Sequence, residues 1–206
     1  MDKTIKMIFH NHGLRSYIEV DLCSECPRQD DKGCCGYYSP VFYACDFAYL
    51  LKNKPELLDY ILNLPSLTVL DNSVTVNNCP EENSYRCQFH NKESGCILEQ
   101  SLRESICRHF VCPGINWENE AKLKLWKDFF AQLTDYENNL NNIIAQKLEQ
   151  KGLTLRNKDK HKMFLQQLLI LFEEATATKP AFFTEVPESE VFEIKRSLKF
   201  KADWPL

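Results

Sequence analysis

The chain has 206 residues, of which 44% are hydrophobic and 26% charged, and its formal net charge is −4. This composition is typical of a globular protein with its own core and argues against a disordered chain. The acidic balance argues against a nucleic-acid partner, because phosphate binders carry a basic excess. No apolar run reaches the length of a signal peptide or a membrane span, so we expect a cytoplasmic protein with no membrane partner.

The first predicted elements are two helices. Ser39 and Pro40 form a typical helix start, in which a hydroxyl caps the first turn and a proline presets the backbone. The residues from 41 to 51 are apolar on most faces, which predicts a well-buried helix. Pro55 can begin a second helix, whose leucines and isoleucine form one apolar stripe.

A small β-hairpin is predicted next. The runs 66–70 and 73–76 are rich in β-branched residues. Asp71 and Asn72 separate the two runs and can form the turn between two strands.

The last part of the chain is predicted to be helical. Apolar residues recur at three- and four-residue steps from Trp126 to Leu148, and Gly152 follows as a helix end. A second helix begins at about Lys158, and one more turn is expected around 191–198. The expected fold is therefore mainly α, with a small β-hairpin.

The cysteines divide the chain into two parts. All ten lie between Cys23 and Cys112. We therefore place a boundary near Gly114, with a cysteine-cluster domain at 1–114 and a helical extension at 115–206 that packs on it and offers a surface for a protein partner. In a reducing compartment, clustered cysteines are more often metal ligands or redox groups than disulfides.

Eight cysteines form two groups of four that predict a metal site. A two-residue gap brings two sulfurs to one side of a turn, and soft thiolates favour zinc, copper(I) or an iron–sulfur cluster. Adjacent cysteines diverge, which indicates a binuclear site, two nearby sites, or one ligand and one spectator. The predicted ligands of Zn²⁺ or iron are Cys23, Cys26, Cys34 and Cys35 in the first group and Cys87, Cys96, Cys107 and Cys112 in the second.

The other candidate residues carry weaker signals. Cys45 lies in an apolar run and is expected to be a small buried hydrophobe, and Cys79 falls outside both groups. Histidines can also bind zinc or iron or support the ligands. The candidates for such roles are His10, His12, His90 and His109.

The order of the cysteines resembles the CxxCxxCC family of zinc- or iron-chelating proteins. The resemblance covers roughly residues 20 to 114, and the chain departs from it in the seven-residue gap after Cys26 and in a glutamate where the family usually has a proline after Arg103. What the resemblance implies is metal chelation. The matching positions are Cys23, Cys26, Cys34, Cys35, Asp46, Cys87, Gly95, Cys96, Arg103 and 107–112.

Three functional hypotheses follow. The first is a metal-binding protein whose thiolate site orders the first part of the chain. The second is an iron–sulfur enzyme of protein or small-molecule modification, because flagellin lysine methylases have a related cysteine arrangement. The third is a thiol or disulfide module for redox or interaction chemistry. No nucleotide-binding or radical-enzyme motif is present in the sequence.

Overall fold

A computed structural model describes residues 2–20, 35, 38–81, 84–91, 93 and 95–197. It has 51% helical and 22% strand residues, so the fold is mixed α/β. The prediction of a mainly α protein with a small β-hairpin is therefore wrong. Most of the strands have only two to four residues, which is too short for the alternation of apolar and polar residues to show in the sequence.

Several short sheets accompany the helices. The helices that build the core and the site are α1 (Ala44–Asn53), α2 (Pro55–Leu62), α3 (Ser105–His109), α4 (Lys124–Gln150) and α5 (His161–Ala175). In the described part of the chain the strands form four sheets: β1 (Asp2–His10), β2 (Tyr17–Val20) and β10 (Ser189–Ser197); β3 (Val41–Phe42), β4 (Leu67–Val69) and β5 (Val74–Val76); β6 (Cys79–Glu81) and β7 (Ser84–Arg86); β8 (His90–Asn91) and β9 (Gly95–Cys96).

The first sheet joins the two ends of the described chain. β1 is its central strand and pairs antiparallel with both β2 and β10, with Ile5 opposite Ile194. The helical turn predicted around 191–198 is therefore wrong, because residues 191–197 belong to β10. The three- and four-residue spacing of the apolar residues there fits a helix, but pairing with a strand some 190 residues away overrides that local signal.

The other predicted elements agree better with the structure. The hairpin is confirmed as β4 and β5, and α2 begins at Pro55 as expected. α1 begins only at Ala44, because residues 41 and 42 pair with β5 as β3. The two C-terminal helices are confirmed as α4 and α5, and α5 follows a 3₁₀ turn at Lys158–Lys160.

Among the described residues, two hydrophobic clusters form the core. The first packs α1, α2 and β5 against the end of α4 and against α5. The second packs the inner face of the first sheet against the start of α4, where Phe9, Trp117, Trp126 and Phe130 meet ring to ring. Each cluster contains residues from both predicted parts, 1–114 and 115–206. α4 therefore contributes to both clusters.

Crossing a lipid bilayer requires a long apolar helix. None of the helices in the described ranges has that length and that apolar character.

Candidate metal centre

Four of the predicted ligands line one cavity of about 70 Å³. They are Cys35, Cys87, Cys96 and Cys107. Most of the remaining wall is apolar or aromatic, and it includes Tyr38, Phe42, Phe89, Leu98 and Phe110. The fold thus gathers thiols from separate parts of the sequence in a space with few polar groups.

Cys35 and Cys87 are joined through their backbones. The Cys87 amide donates to the Cys35 carbonyl at 2.5 Å. The His90 amide in turn donates to the Cys87 carbonyl at 2.9 Å, which closes a tight turn just after β7. The hydrogen bond between their backbones fixes Cys87 beside Cys35, and the Cys87 side chain is buried.

The β8–β9 hairpin carries Cys96 back over this turn. Cys96 lies opposite His90 in the hairpin register, and the Ile97 amide donates to the Phe89 carbonyl at 2.8 Å. Gly95, directly before Cys96, has a φ of +78°, a backbone conformation that glycine adopts without a steric penalty. The glycine thus allows the sharp entry into β9 that places Cys96 at the cavity.

The short helix α3 carries Cys107. Glu104 is its N-cap, and the Glu104 carboxylate accepts hydrogen bonds from the amides of Ile106 and Cys107, each at 2.9 Å. Such a cap satisfies amides that have no partner within the helix. Glu104 is only 3% exposed, so its carboxylate fixes the start of α3 from inside the protein.

The electrostatics of the cavity favour the protonated form of the Cys107 thiol. Burial raises the pKa of the Cys107 thiol well above its usual range, and the nearby groups Glu104, Cys35 and Cys87 raise it further. Burial also raises the pKa of the Glu104 carboxyl, although its hydrogen bonds from Cys107 and Ile106 oppose this effect. A metal that binds here would therefore have to displace the proton from the Cys107 thiol.

Two buried ion pairs lie beside the cavity. Arg15 Nη1 lies 2.7 Å from Asp46 Oδ1, and Arg108 Nη2 lies 2.7 Å and 2.9 Å from the two carboxylate oxygens of Glu137. The Arg108 side chain is fully buried. Ser105 also donates to Glu137, at 3.0 Å.

Sequence reasoning found only part of this network. Asp46 and Arg108 belong to the motif that carries the family resemblance, but Arg15 and Glu137 were missed. A signal for Glu137 exists, because it occupies a position in the buried stripe of α4, between Leu133 and Leu140. A carboxylate in such a stripe indicates a buried partner. No comparable signal marks Arg15.

The remaining described cysteines lie elsewhere. Cys112 packs against the second hydrophobic cluster, and it is not among the residues that line the cavity. Cys45 is buried in α1, as expected, and its amide donates to Asn141. Cys79 begins β6. The predicted ligands Cys23, Cys26 and Cys34 lie outside the described residues.

The histidines do not line the cavity. His10 stacks on Tyr17 with ring centroids 4.4 Å apart and contacts Glu19, and His12 lies next to both rings. His109 lies at the end of α3, with its ring 5.0 Å from that of Phe130. Burial, together with the positive charges of Arg108 and Arg15, lowers the pKa of His109 well below its usual range.

The thiols surround the cavity without forming a closed ligand set. In the described part of the chain, no group of three or more His, Cys, Asp or Glu side chains is arranged to hold a metal ion. Metal binding is coupled to local ordering, so binding a common ion would require these side chains to move towards it.

The chain matches no family model, no curated protein and no solved structure. The resemblance to the CxxCxxCC family therefore stays a prediction.

Proposed function

We propose that this chain is a metal-binding protein whose centre is held by Cys35, Cys87, Cys96 and Cys107. One observation carries the proposal: these four thiols, from separate places along the chain, line a single cavity. The order of the cysteines, which resembles that of the CxxCxxCC family, supports the same function. As part of the proposal we place the protein in the cytoplasm, where thiols stay reduced.

The donor set fits zinc or iron. Four thiolates satisfy the tetrahedral preference of Zn²⁺, and they are also the ligands of common iron–sulfur clusters. Hard cations such as Mg²⁺ and Ca²⁺ prefer oxygen ligands, and Glu104 is the one carboxylate that the described residues place in the cavity wall. The bound metal would place positive charge between β7, the β8–β9 hairpin and α3, and it would crosslink these elements.

An iron–sulfur enzyme is the second candidate. The observation that favours it is the cavity volume of about 70 Å³, which is several times the roughly 10–15 Å³ that holds one water molecule. Protein purified without oxygen should then be brown and contain acid-labile sulfide. Colourless protein with zinc would exclude the cluster and support a zinc site.

Metal analysis of cysteine variants tests the proposal. Wild-type protein purified without oxygen should contain at least one equivalent of zinc or iron per chain. We expect Cys96→Ser and Cys107→Ser to lose most of this metal, because each removes a thiolate from the cavity. Cys45→Ser and Cys112→Ser are matched controls that remove a thiol from outside the cavity, and they should keep the wild-type content. Metal-free wild-type protein, or equal loss in the controls, would overturn the proposal.

A further inference from the structure

Two arginines donate hydrogen bonds to backbone carbonyls of the loop before α3. The carbonyl of Ser101 accepts from Arg15 Nε at 3.0 Å and from Arg15 Nη2 at 2.6 Å. The carbonyl of Arg103 accepts from Arg15 Nη2 at 2.6 Å and from Arg108 Nε at 3.1 Å. Backbone carbonyls away from water need partners, and here guanidinium groups provide them in place of a sheet or helix.

Each guanidinium is itself held by a carboxylate from another helix. Arg15 pairs with Asp46 of α1, and Arg108 pairs with Glu137 of α4. Arg108 Nη1 also donates to the carbonyls of Leu14 and Ser16, each at 3.0 Å. The loop is thus tied to α1, to α4 and to the turn between β1 and β2.

Only arginine can make this set of contacts. Its planar fork presents five N–H donors in fixed directions, whereas a lysine presents one compact charge. Buried ion pairs often add little net stability, because their desolvation offsets their attraction. The function of these two pairs is therefore better sought in the geometry of the loop that they fix.

We propose that Arg15 and Arg108 are positioning residues for the metal centre. They hold residues 101–104, and through them Glu104 and Cys107, in the arrangement that metal binding requires. This inference rests on the proposed function and adds to it the residues that set the geometry of the metal centre. Both guanidinium groups bind carboxylates and backbone carbonyls, and neither arginine is among the residues that line the cavity, so neither has to touch the metal.

Arg15→Lys is the test variant because it keeps the charge and loses the fork. Its readout is the rate at which bound metal passes to an excess of a chromogenic chelator. We expect this rate to rise by about tenfold or more, as for other changes behind a metal ligand. Asp46→Asn, which leaves Arg15 in place without its charge partner, should act in the same direction. Intrinsic tryptophan fluorescence establishes that each variant is folded under the assay conditions.

Arg196→Lys is the matched control. Arg196 donates to the Ile115 carbonyl at 2.7 Å and pairs with Glu120 at 2.5 Å, so the same change breaks a similar fork at the second hydrophobic cluster. Its metal-transfer rate should stay at the wild-type value.

Amide hydrogen exchange on metal-free protein gives a second readout. The amides of Ile106 and Cys107 should exchange faster in Arg15→Lys than in wild type, while those of α4 should not change. Wild-type metal transfer in Arg15→Lys, unchanged exchange in α3, or an equal effect of Arg196→Lys would each overturn the positioning role. Wild-type protein that never holds metal would instead overturn the proposed function, and the positioning role would fall with it.

Discussion

Buried charges are the residue-scale feature that ties this site to the rest of the protein. Arg108 and Glu137 are 0% and 1% exposed, and their pairing leaves no net charge inside. Removing one partner of such an ion pair strongly destabilises the protein, because the remaining charge then stays buried without a partner. Its effect should therefore appear when one partner is removed.

We predict that Glu137→Gln lowers the free energy of unfolding by about 3 kcal/mol, because it leaves the Arg108 charge uncompensated. Urea denaturation measures this loss. The control is Glu173→Gln, which breaks an exposed pair with Lys52 and should cost less than about 1 kcal/mol. Equal losses in the two variants would contradict the importance of the buried pair.

His109 should make stability depend on pH. Its pKa is lowered in the folded protein, so the unfolded chain binds a proton more readily. The stabilisation is fully present above the unfolded pKa of about 6.5 and is lost as the pH falls towards the folded pKa.

We therefore expect wild type to lose stability relative to His109→Gln as the pH falls below about 6.5, by up to about 1.4 kcal/mol per pH unit. Urea denaturation of both proteins between pH 5 and pH 8 (about the range of histidine titration) measures the difference. The raised pKa values of Glu104 and Glu137 act in both proteins and so largely cancel in it. A difference that stays constant with pH would contradict the prediction.

At the residue scale, the sequence predicts which residue types gather better than it predicts which side chains meet. Cysteines clustered at close spacing indicate a metal site by their type alone, and four of the predicted ligands meet in one cavity. The sequence could not separate Cys112 from Cys107, because the turn after α3 decides which side chain faces the cavity. Nor could it pair Arg15 with Asp46, because a contact between residues 31 positions apart leaves no local pattern.

Among the elements, α4 has the best-defined end. The Leu153 amide donates to the Leu148 carbonyl at 3.0 Å and the Gly152 amide to the Glu149 carbonyl at 2.8 Å. This is the Schellman arrangement, in which the residue after the cap adopts a left-handed conformation. Gly152 has a φ of +64°, and both leucines are buried in the first cluster.

Gly152→Ala should lower the free energy of unfolding by about 1 kcal/mol. A Cβ added at Gly152 would meet no atom within 4 Å, so the expected cost comes from the backbone conformation alone. Thermal or urea unfolding measures it. Gly152→Asn should cost less, because asparagine tolerates this conformation better. A stabilised alanine variant would contradict the interpretation of this helix end.

The presence or absence of a local sequence pattern explains which elements could be predicted. α4 and α5 carry long periodic stripes, α4 also carries a glycine end signal, and both helices were found. β1 and β10 have nine residues each, but their pairing joins opposite ends of the chain and cannot be inferred from local sequence. The two-residue strands around Cys96 are too short to have a period at all.

At the scale of the whole molecule, each of the two hydrophobic clusters takes residues from both halves of the sequence. The first cluster needs Ile144, Leu148, Phe164 and Leu168 from the second half of the sequence. The sheet that covers the second cluster closes only when β10 pairs with β1. The protein should therefore unfold as one cooperative unit.

A fragment of residues 1–114 should lack a cooperative unfolding transition, because it loses α4 and α5 from the first cluster and β10 from the first sheet. Far-UV circular dichroism during urea titration tests this, with the full chain as the reference. A sigmoidal transition in the fragment would instead support an independent domain at 1–114.

The most direct test of the account is X-ray absorption at the edge of the bound metal. For a single-ion site we predict a first shell of four sulfur atoms at about 2.3 Å. In Cys96→Ser, any metal that remains should have fewer sulfur neighbours, whereas Cys112→Ser should give the wild-type spectrum. A first shell made mainly of nitrogen or oxygen, or a spectrum that Cys112→Ser alters and Cys96→Ser does not, would contradict the assignment of the cavity thiols as the ligands.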